Sequence, residues 1–159
     1  MFKLSILILS LLVPVGLAYA QSKHSGPSRP SNSSKTTPII PQKSQQIYNQ
    51  QGQLQQTLKP GPSGNMGIYN PQGQFEGSVK TDSRGVQTFY NRQGQLERVV
   101  KPDGTVFNQR GQFEKAVKTN SYGTNIYNNQ GQLENTIKPD GQILNEHGQV
   151  MGTIKLKDR

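Results

Sequence analysis

A chain of 159 residues with 18 Lys and Arg, 9 Asp and Glu, and neither Cys nor Trp excludes a disulfide-stapled fold and a thiolate metal site. After position 20, Leu, Ile, Val and Phe supply only 25 of 139 residues, under the ~20% that usually separates folded chains from disordered ones. No conventional enzyme domain with a thick core is expected, and the net charge of +9 favours anionic partners.

Residues 1–20 carry one cation, Lys3, an apolar stretch from Leu4 to Val13, a Pro14 and Gly16 break, and then Ala18-Tyr19-Ala20. This is the pattern of a secretory signal peptide cleaved near Ala20, with an apolar stretch too short to span a bilayer. The expected mature protein is secreted or periplasmic, begins at Gln21 and has no transmembrane segment. It has no Cys for lipid anchoring at the cleavage site.

Residues 21–44 are rich in Ser, Pro and Lys and contain no acid, with Ile39 and Ile40 as the sizeable apolar side chains. Such a segment cannot offset its ordering entropy and is expected to be a disordered basic linker, with cations at Lys23, Arg29, Lys35 and Lys43. It serves as a spacer for the next domain, unless a partner orders it.

From Gln45 to the end the chain repeats, and repetition is what argues for a fold. Six copies share an aromatic or apolar residue, Asn, two variable residues, Gly-Gln, an apolar residue, then an aliphatic residue and Lys. The Asn row is Asn49, Asn70, Asn91, Asn108, Asn128 and Asn145, and the Gly row is Gly52, Gly73, Gly94, Gly111, Gly131 and Gly148. Successive Asn residues are 21, 21, 17, 20 and 17 apart, so the unit varies in length only after its Lys. Tyr90 to Tyr127 and Leu96 to Leu133 both span 37 positions, which marks a duplicated two-copy unit.

The turn chemistry predicts hairpins. Asn70-Pro71-Gln72-Gly73 places Pro where φ near −65° is wanted and Gly where a left-handed residue closes a type I turn with a Gly bulge. Lys101-Pro102-Asp103-Gly104 and Lys138-Pro139-Asp140-Gly141 have the same form. The expected fold is all-β: an antiparallel hairpin array, meander or spiral, of about twelve short strands. Simple alternation places Leu96 with Val100 on one sheet face and Glu97 with Lys101 on the other. Tyr48, Tyr69, Tyr90, Phe107 and Tyr127 are expected as a core row, and the Gln row (53, 74, 95, 112, 132, 149) as an amide ladder between copies.

The string Tyr-Asn-x-x-Gly-Gln-Leu-x-x-x-Ile-Lys-Pro-Asp-Gly at 127–141 resembles the YD repeats of the Rhs family, with Asn for Asp and Gln for Arg. The likeness covers 47 to about 155. It implies β-strand spirals of the kind that enclose polymorphic toxins or serve as surface adhesive modules. No toxin domain is expected after six copies followed by Lys155–Arg159, so the resemblance implies architecture more than activity.

The residues offer no catalytic set. His24 and His147 are far apart in sequence and lack ligand neighbours at metal spacing. Glu76, Glu97, Glu114 and Glu134 repeat one position at ~10 Å spacing, too far apart for a retaining acid pair. No enzyme activity, metal or cofactor is expected. The candidate contact row is Lys59, Lys80, Lys101, Lys118, Lys138 and Lys155, spaced slightly beyond the ~8 Å physiological screening length and partly offset by the Glu row.

The leading expectation is an exported, non-enzymatic repeat protein that binds an envelope polyanion or surface protein. Specific nucleic-acid recognition is not expected, because a Tyr row in the core is not free to stack on bases. A self-assembling matrix protein joined through open end copies and the Gln ladder is the alternative. A small secreted toxin-associated or host-interaction protein is the weaker one.

Overall fold

The structure, a computed structural model, describes residues 43–157. The expected leader, and all but the last two residues of the expected linker, lie outside the described residues.

Twelve antiparallel strands follow one another: β1 Ser44–Asn49, β2 Leu54–Pro60, β3 Met66–Tyr69, β4 Phe75–Thr81, β5 Gln87–Asn91, β6 Leu96–Val100, β7 Thr105–Asn108, β8 Phe113–Asn120, β9 Gly123–Asn128, β10 Leu133–Ile137, β11 Gln142–Asn145 and β12 Val150–Lys157. Each pairs with its neighbours in sequence, and β1 also pairs with β12, so the meander closes into a barrel. At the closing seam Ser44 faces Lys157 and Ile47 faces Ile154. Closure pairs both outer edges of the described array, the edges on which the self-assembly alternative relied.

The six Asn-x-x-Gly turns lie at one rim, hereafter the Asn rim. The five turns of variable length, together with the start of β1 and the end of β12, form the other, the variable rim. At each Asn turn Gly sits at positive φ, 75° at Gly52 and 77° at Gly94, where a Cβ would be strained. The backbone closes the turn from both sides: Gly94 N–H donates to Asn91 O at 3.0 Å and Asn91 N–H to Gln95 O at 2.9 Å.

A β-bulge follows every Asn turn. Phe89 faces Arg98 while Tyr90 faces Leu96, so Glu97 is the extra residue. The same shift occurs in the other five hairpins. A bulge reverses the alternation of side chains beyond it. Leu96 and Val100 therefore do not share a face: Val100 is buried and Leu96 is 38% exposed.

The core row is corrected for the same reason. Tyr48, Tyr69, Tyr90, Phe107 and Tyr127 are half-buried on the outer wall. The residues just before them, Ile47, Ile68, Phe89, Val106 and Ile126, are the buried ones.

Buried apolar residues meet in direct cross-strand pairs between copies: Leu58 with Ile68, Val79 with Phe89, Val100 with Val106, Val117 with Ile126, and Ile137 with Ile143. With Ile47 and Ile154 at the seam they make one belt around the interior, one residue from each strand, to which β3 adds Met66. A belt one residue deep explains how a chain poor in hydrophobes folds. Every strand contributes its side chain to a core that all twelve share.

Candidate contact surface

On the outer wall each aromatic residue faces a small or β-branched side chain across the strand pair. Thr57 faces Tyr69, Ser78 faces Tyr90, Val99 faces Phe107, Ala116 faces Tyr127, and Thr153 faces Tyr48. Short partners leave room beside each ring, and a Lys covers it. Lys59 Nζ lies 5.0 Å from the Tyr69 ring centroid, Lys80 5.1 Å from Tyr90, Lys101 4.6 Å from Phe107, Lys118 5.4 Å from Tyr127, and Lys155 5.2 Å from Tyr48. Such contacts are worth ~0.5–1 kcal/mol at exposed sites. Lys138 is the exception because its counterpart is Leu144, and its ammonium lies 3.5 Å from Gln142 Oε1.

The six Lys residues of the expected contact row thus stand at one level around the barrel, all exposed. They form a closed circuit where a linear strip was expected. Five of them are linked copy to copy by their rings, a pairing that sequence reading missed. Its signal was present: every copy with an aromatic residue is preceded by a Lys, and Lys155 finds its ring only by crossing the seam to the first copy.

Among the described residues no carboxylate comes within ion-pair distance of these six Lys; the pairs present are Arg84–Asp82, Arg98–Glu114, Lys115–Glu134 and His147–Glu146. The expected offset by the Glu row is corrected. Glu76, Glu97, Glu114 and Glu134 occupy the bulge positions near the Asn rim, and three of them engage an inward-facing polar residue of the preceding copy. Gln56 Nε2 donates to Glu76 at 3.0 Å, Arg98 Nε stands 3.5 Å from Glu114, and Lys115 contacts Glu134. Arg98 and Lys115 are 8% and 7% exposed, so Glu114 and Glu134 balance cations inside the barrel.

The Gln ladder is corrected too. Each Gln is clasped by the Asn of its own turn. At the third turn Asn91 Oδ1 accepts from Gln95 N–H at 2.9 Å, and Asn91 Nδ2 donates to Gln95 Oε1 at 3.0 Å. The other five turns repeat this clasp. Asn supplies an acceptor and a donor together, which Asp cannot, and Gln supplies the matching oxygen. The Asn side-chain amide and the Gln side-chain oxygen are thus engaged within each turn.

At the variable rim Asp82 Oδ1 accepts from Val86 N–H and Arg84 N–H, both at 2.9 Å, and the bond from Val86 leads the effects that hold its carboxyl below the usual 3.8. Asp103 is likewise lowered, first by the bond from Thr105 N–H at 2.8 Å and further by the Lys101 charge. In the equivalent turn Asn120 Oδ1 accepts from Tyr122 N–H at 2.8 Å.

An outer groove of about 410 Å³ is lined by residues that include Gln46, Thr57, Lys59, Tyr69 and Lys157. His147 is exposed beside Glu146 in the last Asn turn, and His24 lies outside the described residues. Among the described residues no group of three or more His, Asp or Glu stands close enough to hold a metal ion. No described helix is long and apolar enough to cross a membrane.

The expected core placement of the rings, on which nucleic acid was set aside, is corrected: they stand half-buried on the outer wall, each beneath a Lys ammonium. Comparison with protein-family models and with curated proteins finds no match to this chain.

Proposed function

We propose that this chain is an exported, non-enzymatic repeat barrel that attaches to a polyanionic component of the cell envelope through its circuit of lysines. The observation that carries the reading is the arrangement of Lys59, Lys80, Lys101, Lys118, Lys138 and Lys155. All six are exposed at one level, without ion-pair partners among the described residues, and five are steadied on aromatic rings.

Copies two strands apart place the cations about 10 Å from their neighbours, so they coexist at little mutual cost in physiological salt. A ring resting under five of the six ammonium groups reduces the side-chain entropy lost when an anion binds. Export rests on the leader pattern of Met1 to Ala20. The likeness to YD repeats contributes the expectation of a surface module and no activity.

The test is co-sedimentation of residues 21–159 with purified envelope at low and high salt. Binding is expected to be salt-sensitive and lost when all six Lys are replaced by Gln, with the Lys→Arg set retaining it. Unchanged binding of the Gln set would sink the assignment.

A further inference from the structure

The two rims of the barrel differ in charge. The variable rim carries Lys43, the six Lys of the circuit, Arg84 and Lys157, against Asp82, Asp103 and Asp140. The Asn rim and the interior beneath it carry Arg92, Arg98, Arg110 and Lys115 against Glu76, Glu97, Glu114, Glu134 and Glu146. One end is therefore strongly cationic, and the other is close to neutral and slightly acidic.

The same cationic end carries the two most exposed large apolar side chains of the described residues. Tyr122, 84% exposed, is at the tip of the turn between β8 and β9, and Leu156, 59% exposed, is near the end of β12. Tyr122 occupies a turn position where the equivalent copies have Arg84 and Asp103, and Leu156 lies beyond the apolar belt.

We infer that the barrel docks with its variable rim facing an anionic phospholipid surface, Tyr122 and Leu156 entering the headgroup layer and the Lys circuit lying among the phosphates. This deepens the attachment reading above and rests on it. A plane is the partner that all six lysines of a closed circuit meet together; a stiff linear polyanion laid along the wall reaches only the few on its own side. Exposed apolar tips inside a cationic collar suit a bilayer boundary, where amphipathic Tyr is favoured and each Lys near an anionic leaflet is worth about fivefold in binding.

The natural chain has no Trp, so one introduced Trp reports its own surroundings. Tyr122→Trp and, on the opposite rim, His147→Trp are compared in residues 21–159 on vesicles of phosphatidylcholine with and without phosphatidylglycerol. The expected result is a blue-shifted emission for Tyr122→Trp on phosphatidylglycerol vesicles alone and no shift for His147→Trp. The pair Tyr122→Ser with Leu156→Ser is expected to lower vesicle binding about tenfold while leaving the far-UV spectrum of the barrel unchanged.

Equal shifts at both rims, or vesicle binding indifferent to the serine pair, would overturn the rim-first orientation. Absence of vesicle binding alongside salt-sensitive binding to envelope would overturn the lipid assignment in favour of an anionic glycan and leave the attachment reading standing. Absence of binding to both would remove the two together.

Discussion

Lys155 Nζ lies 5.2 Å from the centre of the Tyr48 ring, so the last copy of the repeat covers the first as Lys80 covers Tyr90 one copy on. The seam between β12 and β1 is thus built like the junctions between other copies, with Ile47 against Ile154 inside and a cation on an aromatic ring outside. A permuted chain is expected to fold: joining Lys157 to Ser44 by a short Gly-Ser loop and opening the turn at Gly61–Asn65 should keep the far-UV spectrum and cooperative unfolding. A broad, non-cooperative transition would show that the seam is special.

The inside and outside assignments predict an order of core damage. Phe89→Ala empties the belt and should cost about 3–5 kcal/mol, whereas Tyr90→Ala removes a half-buried outer ring and should cost about 1–2 kcal/mol. Urea unfolding of the two variants checks this, and the reverse order would return the Tyr row to the core.

Which residues are buried was legible only in part. Turn residues set the hairpins, so twelve strands could be counted as two for each of the six Asn-x-x-Gly copies. Facing could not be read by alternation, because the bulge at Glu97 and its equivalents moves Leu96 outward while Val100 stays inward. The apolar residue just before the aromatic or Leu of each copy, Ile47, Ile68, Phe89, Val106, Ile126 and Ile143, was the available clue. Closure was not legible, since local turn chemistry is the same in an open spiral and a barrel, and only strand stagger and number decide between them. The Lys row was visible as a row, and its engagement with the rings depends on cross-strand neighbours that a linear reading does not supply.

Removing the clasp in one Asn turn has a graded outcome. Asn91→Ala loses both side-chain bonds to Gln95 and should destabilise by about 1–2 kcal/mol, while Asn91→Asp keeps the acceptor for Gln95 N–H and should cost about half as much. Thermal unfolding of the pair measures the difference, and equal effects would mean that the side-chain amide bond contributes nothing.

The interior ion pair predicts a non-additive cycle. Glu134→Ala leaves Lys115 without its partner and should cost about 2 kcal/mol, under the 3–5 of a fully buried pair because Glu134 keeps about a third of its side chain in water. Lys115→Met combined with Glu134→Leu should recover most of that loss. Additive losses in the double variant would show that the two residues do not act as a pair.

Acid should loosen the variable rim first. Asp82 and Asp103 have carboxyls held below the ordinary 3.8, so their turns are stabilised above that value and lose the contribution as pH falls through the lowered folded values. Hydrogen exchange at Val86 and Thr105 amides is expected to quicken below about pH 4, while the Tyr122 amide, held by the neutral Asn120, should show no such pH step. A matching step at Tyr122 would assign the change to the whole barrel.

A repeat array that stays open can lengthen or shorten one unit at a time, because its ends are free and each new unit docks on the last. Here the end of β12 is already committed to β1, and Lys155 to Tyr48. Copy number therefore behaves as a closure condition, not an adjustable length. Recombination between the near-identical units at Tyr90 and Tyr127, which would excise or add a two-copy block, changes the circumference of the whole molecule. Six is the integer at which this ring closes, and an array of any other length would have to find a different radius or expose two raw strand edges.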